Sequence, residues 1–181
     1  MSDENLLNLL NVNPASLTNR ERGNLSELGF MRKAASFGFA VAKPWGEGER
    51  YDVIVRVDSS CWRVQVKSVV VKSRGKTYYR IKTTGGNTRK RLGTLYTAAE
   101  IDFLVAYIFP EDAWYVFPAS VVEKRKAVCV TPRSKRSSFE KYREAWGLMK
   151  PAPAAVSKTE APDTGDPGNG ALAATAKAGT I

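Results

Sequence analysis

A chain of 181 residues has room for one domain and one ordinary core, and its formal charge of +10, from 28 Lys and Arg against 18 Asp and Glu, points to a polyanionic partner. The lack of histidine excludes Ser-His-Asp and Cys-His nucleophiles, histidine acid/base chemistry, mixed His/Cys zinc sites and every nuclease class whose water is activated by histidine. Two cysteines, Cys61 and Cys129, are too few for a Cys₄ centre or a disulfide framework; one bridge is open to them, and the favoured reading is two buried thiols of a reducing compartment.

The N-terminal Met-Ser-Asp-Glu-Asn is acidic and polar, which is not the pattern of a secretory signal. The longest apolar run, residues 103–109, falls far short of the ~20 residues of a membrane helix. The expectation is a soluble cytoplasmic protein with no membrane partner. Residues 1–18 read as an N-terminal extension. Thr18-x-x-Glu21 is then a capping-box pattern and Gly38 a stop signal, bracketing one helix with a core stripe of Leu25, Leu28, Met31 and Ala35. Glu27 falls on the flank of that stripe. Residues 39–42, 51–57, 61–71 and 77–83 read as strands of an antiparallel meander, separated by turns at Gly46, Gly48, Ser59, Ser60 and Gly75.

Residues 84–92 read as a Gly-, Thr- and Arg-rich loop. Thr97-x-x-Glu100 is a second capping-box pattern, ahead of a strand over 103–109, a Pro-Glu-Asp-Ala turn and a strand over 114–117, whose Trp114, Tyr115 and Phe117 belong to the core. Ser137-x-x-Glu140 opens a last helix over 138–146, with Phe139, Tyr142 and Trp146 as its apolar stripe and Gly147 after its end. Residues 149–181, rich in Ala, Pro and Gly, read as a disordered tail. The element order describes an α+β domain over residues 19–148, built on one central sheet.

Chemistry concentrates on one hairpin. Strand alternation puts Val53, Val55, Val57, Trp62, Val64 and Val66 on one face and Asp52, Gln65 and Lys67 on the other. A two-residue turn at Asp58 and Ser59 sets Asp52 opposite Gln65 with Lys67 diagonal to both. That polar face fits two readings. It is the solvated side of a half-exposed hairpin, or it is a carboxylate, an amide oxygen and an ammonium assembled around Mg²⁺ or Mn²⁺, with Glu27 as a second carboxylate if its helix packs over the hairpin. Asp102 and Glu100 read either as further ligands or as a structural hydrogen bond and a helix cap. Glu47 and Glu49 read as residues of a mobile, solvated loop.

Glu27 on a first helix, then Asp52, then Gln65-x-Lys67 followed by Ser68, resembles the PD-(D/E)XK nuclease signature. Arg22-Gly-Asn-Leu-Ser-Glu27 resembles the Gly-x-x-x-Glu of that superfamily's leading helix. Gly48-Glu-Arg-Tyr-Asp52, Trp62-Arg-Val-Gln-Val-Lys-Ser68, Ile101-Asp-Phe103 and Trp114-Tyr-Val-Phe-Pro118 look most like the homing endonucleases associated with group I introns. The resemblance implies a mixed sheet flanked by helices, with a restriction-endonuclease-like core. It also implies metal-dependent hydrolysis of double-stranded DNA by a homodimer or higher symmetric assembly, with Asp52, Gln65 and Glu27 on Mg²⁺ (Mn²⁺ as the alternative) and Lys67 at the attacking water. Such a protein is nucleoid-associated when bound to DNA. Tyr51 stands where the superfamily has Pro, and Gln65 where many members have Glu, which removes one negative charge. The rival readings are a Holliday-junction resolvase-like nuclease and a non-catalytic nucleic-acid-binding module of the same fold.

Between Ser59 and Ala99 there is no Asp or Glu, while Lys and Arg occur ten times. Arg74 and Lys76 flank a turn at Gly75, and Arg89, Lys90 and Arg91 sit beside the proposed site, where they would contact phosphates. Lys124 and Arg125 begin a second basic cluster that runs to Arg136. Tyr78 and Tyr79 interleave with the basic residues and read as packing side chains.

Overall fold

In the computed structural model, which describes residues 13–46, 48–87 and 90–151 and no side chains over 86–92, the first helix starts at its capping box. Thr18 Oγ1 accepts the Glu21 N–H at 3.3 Å, and the Glu21 carboxylate accepts the Thr18 N–H at 2.8 Å. Helix α1 (Asn19–Ser36) runs to Phe37, and Gly38, at φ +80°, turns the chain out of it.

The core face of α1 differs from the expected stripe. Ser26, Phe30 and Ala34 are buried, Leu25 and Met31 are half-buried, and Ala35 is exposed, as is Leu28 at 58%. The aromatic ring decides the rotation: Phe30 packs against Trp146 at 5.8 Å and Trp114 at 6.1 Å between ring centroids. Ser26 enters the core because its hydroxyl donates back to the Arg22 carbonyl at 2.8 Å.

Strands β1 (Ala40–Ala42), β2 (Val53–Val57) and β3 (Ser60–Val69) form antiparallel pairs, and β7 (Phe103–Ile108) and β8 (Ala113–Pro118) complete a mixed five-stranded sheet in the order β1-β2-β3-β7-β8. β3 and β7 run parallel; β7 and β8 are antiparallel. β4 (Tyr79–Lys82) is not a fourth meander strand. The edge of β3 is taken by β7, and β4 pairs instead with β9 (Ala127–Val130), a strand absent from the sequence reading. The expected loop over 84–92 contains a second small sheet, the hairpin of β5 (Thr84–Asn87) and β6 (Lys90–Leu95). A short helix, α2 (Ala119–Val122), follows β8.

Each face of the central sheet carries its own core. α1 covers the face of Val53, Val55, Val64, Val66, Val105 and Val116; Tyr79, Ile81, Val128 and Val130 of β4 and β9 cover Leu104, Ala106, Ile108, Tyr115 and Phe117 on the other. The expected last helix is two 3₁₀ turns, Glu140–Tyr142 and Trp146–Met149, joined through Glu144 at φ +48°. Phe139 and Tyr142 pack on the second core and Trp146 on the first, so this segment crosses the sheet edge, which no single helix stripe can do. Arg143 bridges Tyr115 and the Glu144 N–H donates to the Trp114 carbonyl at 2.8 Å, covering the β8 edge. Glu140 does not cap Ser137; its carboxylate accepts from the Tyr115 hydroxyl at 2.7 Å and the Arg133 N–H at 2.8 Å.

Cys61 and Cys129 are free but exposed rather than buried, since each takes an outward position of its strand. Among the described residues no helix is long and apolar enough to cross a membrane.

Candidate active site

The β2–β3 hairpin takes the register set by its two-residue turn. Val57 pairs with Ser60, Asp58 adopts φ 52°, and Val53 pairs with Val64, so Asp52 stands across from Gln65. The Asp52 N–H donates to the Val64 carbonyl at 2.9 Å. Its Oδ2 accepts the Val66 N–H at 2.8 Å and a short hydrogen bond from Gln65 Nε2. Gln65 is 7% exposed and also donates to the Val66 carbonyl at 3.1 Å, so this buried amide is held by polar partners. Lys67, two residues on, projects from the same face as Gln65.

Glu27 comes from α1. Arg20, Asn24 and Glu27, spaced four and three apart, line one side of a cleft of about 260 Å³ whose other side includes Lys43, Tyr51 and Asp52. Lys43 Nζ pairs with Glu27 Oε2 at 2.6 Å. The structure therefore brings Glu27, Asp52, Gln65 and Lys67 together, and it adds Lys43, which no local sequence pattern marks.

Burial pushes the Asp52 carboxyl up to about 6; the Val66 N–H resists, Glu27 adds to the rise, and Lys67 and Lys43 oppose it. Burial likewise holds the Lys67 ammonium below the ordinary lysine range against the pull of Asp52, with Arg50 adding to the fall and Glu27 resisting it. Lys67 Nζ donates to the Tyr96 hydroxyl at 2.9 Å.

Two carboxylates and an amide oxygen are a hard, all-oxygen donor set, which fits a cation of the Mg²⁺ or Mn²⁺ class. Among the described residues no three His, Cys, Asp or Glu side chains converge, so waters and substrate oxygens would complete such a shell. A buried carboxylate with a raised pKa is the kind of anion that a cation stabilises.

Asp102 and Glu100 are occupied elsewhere. Asp102 accepts the Arg63 N–H at 2.7 Å and its guanidinium at 3.0 Å; burial opposes ionisation, yet these bonds hold the carboxyl below its usual range. This pair ties β3 to the start of β7, so Arg63 serves the fold rather than a ligand. Glu100 caps Thr97 at 3.0 Å and pairs with Arg50 at 3.2 Å. Tyr79 is buried, as expected of a packing residue, and donates to Glu111 at 2.9 Å.

Of the expected phosphate contacts, Arg74 and Lys76 are exposed around the Gly75 turn, and Lys124 and Arg125 border an open cavity of about 630 Å³ with Lys141. Arg89 lies outside the described residues, and the backbone of Lys90 and Arg91 belongs to β6. Lys67 lines a second groove, of about 500 Å³, together with Arg22, Lys72, Arg80 and Lys82. Alternation along β4, with Tyr79 and Ile81 buried and Arg80 and Lys82 exposed, is the sequence signal that marks this basic edge.

The sequence profile of a family described as PD-(D/E)XK endonuclease matches residues 17–149. Among solved structures the chain is similar to I-Ssp6803I, a bacterial homing endonuclease. Identity is 28% and the TM-score 0.65, with 73% of this chain and 93% of that one covered. It is also similar to Hjc, a Holliday junction resolvase of Archaeoglobus fulgidus, at 15% identity and a TM-score of 0.38 over 61% of this chain and 84% of that one. No curated protein matches.

Proposed function

Because the chain belongs to the PD-(D/E)XK endonuclease family, we propose that it hydrolyses phosphodiester bonds of double-stranded DNA with a divalent cation, Mg²⁺ first and Mn²⁺ as its alternative, in the manner of a homing endonuclease. The observation that carries this reading is the convergence of Asp52, Gln65 and Lys67 on one hairpin face, with Glu27 across the cleft. Asp52, Gln65 and Glu27 would hold the cation. Bound there, it would draw charge from the scissile phosphate and acidify water.

The chain's own residues supply the rest. Asp52 is kept in place by the Val66 N–H and the Gln65 amide. The Lys67 ammonium, two residues beyond Gln65, orients the attacking water and faces the charge that develops at phosphorus. Lys43 neutralises Glu27 when no cation does. The groove of Lys72, Arg80 and Lys82 accepts the DNA backbone leading away from the cut. Cutting both strands requires two such sites, which supports a homodimer or higher symmetric assembly on DNA.

Nicking of supercoiled plasmid in Mg²⁺ and in Mn²⁺ tests the reading. Asp52→Asn and Lys67→Ala should each lower cleavage by about 10²–10⁴-fold with the fold and most DNA affinity intact, because affinity comes from dispersed phosphate contacts. Preference for a four-way junction would instead favour a resolvase. Binding without cleavage of either substrate would favour a non-catalytic module. Normal cleavage by either variant would place the chemistry elsewhere.

A further inference from the structure

Lys67 has a long, flexible side chain, and the strongest attraction on its ammonium is that of the Asp52 carboxylate. Left to that attraction alone, the ammonium would fold onto the carboxylate and away from a reacting water. The ammonium instead donates to the hydroxyl of Tyr96, a residue 3% exposed, at 2.9 Å. Nothing in the reaction proposed above uses this tyrosine.

Tyr96 is itself tightly placed. It follows β6 directly, and its N–H donates to the Thr83 carbonyl at the residue preceding β5, at 3.3 Å. The Arg50 guanidinium lies 4.5 Å from its ring centroid and donates to the carbonyls of Leu95 at 3.0 Å and Thr94 at 3.3 Å. Gly85 of β5 lies close to both groups: a Cβ at this position would meet Arg50 Nη1 first, then the Tyr96 oxygen at 2.8 Å and its Cζ at 3.0 Å. The backbone of Gly85 is outside the left-handed region, so close approach is what calls for glycine here.

We propose that Tyr96 is a positioning residue that holds the Lys67 ammonium off Asp52, beside the groove that Lys67 lines, and that Gly85 and Arg50 lock this arrangement to the foot of the β5–β6 hairpin. The catalytic half of this inference rests on the role given to Lys67 above. Its holding half does not. The geometry of a group that orients a reacting atom is worth far more than its contribution to affinity, since a displacement of about 1 Å costs about 10²-fold in rate.

The test uses the full chain with Tyr96→Phe, which keeps the ring under Arg50 and removes only the acceptor. In ¹⁵N-lysine-labelled protein, water exchange of the Lys67 ammonium protons should quicken severalfold, with the circular dichroism of the fold and the exchange of the other lysines unchanged. Single-turnover plasmid cleavage at saturating enzyme should fall about ten- to a hundredfold, while DNA affinity measured in Ca²⁺ stays the same. Gly85→Ala, which crowds the Arg50 guanidinium and the Tyr96 hydroxyl together, should slow cleavage in the same way. Exchange in Tyr96→Phe equal to that of the natural protein would overturn the holding role. Faster exchange with an unchanged rate would overturn the catalytic one, and an unchanged rate in Gly85→Ala would overturn the link to the hairpin. If the natural protein cuts no DNA, the proposed function fails, and the exchange measurement alone still decides whether Tyr96 holds Lys67.

Discussion

At Asp52 burial and ionisation are in conflict. Its carboxyl titrates near 6 in the folded chain against 3.8 as the ordinary value, so between those pH values the folded state binds more protons than the unfolded one. Stability therefore falls as pH rises through this window, and the penalty is complete above it. The shift corresponds to at most about 3 kcal/mol, less where solvent screens a partly exposed group. Asp52→Asn keeps an oxygen for the Val66 N–H and the Gln65 amide and removes the charge. In chelator at pH 8 it should raise the thermal midpoint by about 3–8 °C, and the gain should vanish near pH 4. With Mg²⁺ added, the natural protein should gain stability and Asp52→Asn should not. A variant less stable than the natural protein at pH 8 would mean that the buried carboxylate is already compensated without metal. These residues were legible because a hairpin with a two-residue turn has a determined register: Asp58 and Ser59 set Asp52 across from Gln65 with no help from distant parts of the chain. Lys43 and Tyr96 were not legible, because each reaches the site from a segment that only chain folding brings there.

At the scale of elements, α1 shows how a correct boundary coexists with a wrong face. The capping box and Gly38 are local features and mark both ends of the helix. Which side turns inward depends on the partner, and Trp114 and Trp146 select Phe30 over Leu28. Phe30→Ala should accordingly cost about 3–5 kcal/mol in urea denaturation, whereas Leu28→Ala, at an exposed site, should stay within about 0.5 kcal/mol. Equal losses would restore the face expected from apolar spacing. The segment after Ser137 failed for a related reason. Its Glu140 has the spacing of a helix cap, but the buried hydroxyl of Tyr115 needs an acceptor and takes it.

At the scale of the molecule, the carboxylates of the described surface are unevenly placed: they enter the Glu27–Asp52 cleft and are missing from the lining of the groove beside Lys67. Glu27 and Asp52 line the cleft, and Lys72, Arg80 and Lys82 border the groove that Lys67 lines. If DNA follows that groove, replacing these three with Ala should weaken binding to unrelated sequences and flatten the dependence of log K on log salt by up to ~2.7 units, since each contact contributes about −0.9. The same replacement of Lys124, Arg125 and Lys141 around the second cavity is the control. A larger loss of slope in the control would move the DNA path to that face.

What the sequence by itself determined is what depends on near neighbours: the start and stop of α1, the strands of the β2–β3 hairpin, the face shared by Asp52, Gln65 and Lys67, and the basic bias between Ser59 and Ala99. Capping, alternation and turn geometry act over a few residues, and charge is counted without folding. The tertiary structure decided the rest. It ran β3 and β7 parallel, sent β4 to β9, split Phe139 and Tyr142 from Trp146 across two cores, and brought Lys43 to Glu27 and Tyr96 to Lys67. Those outcomes turn on which of several apolar surfaces and unpaired polar groups meet across the folded chain, and residues far apart in sequence carry no local mark of that choice.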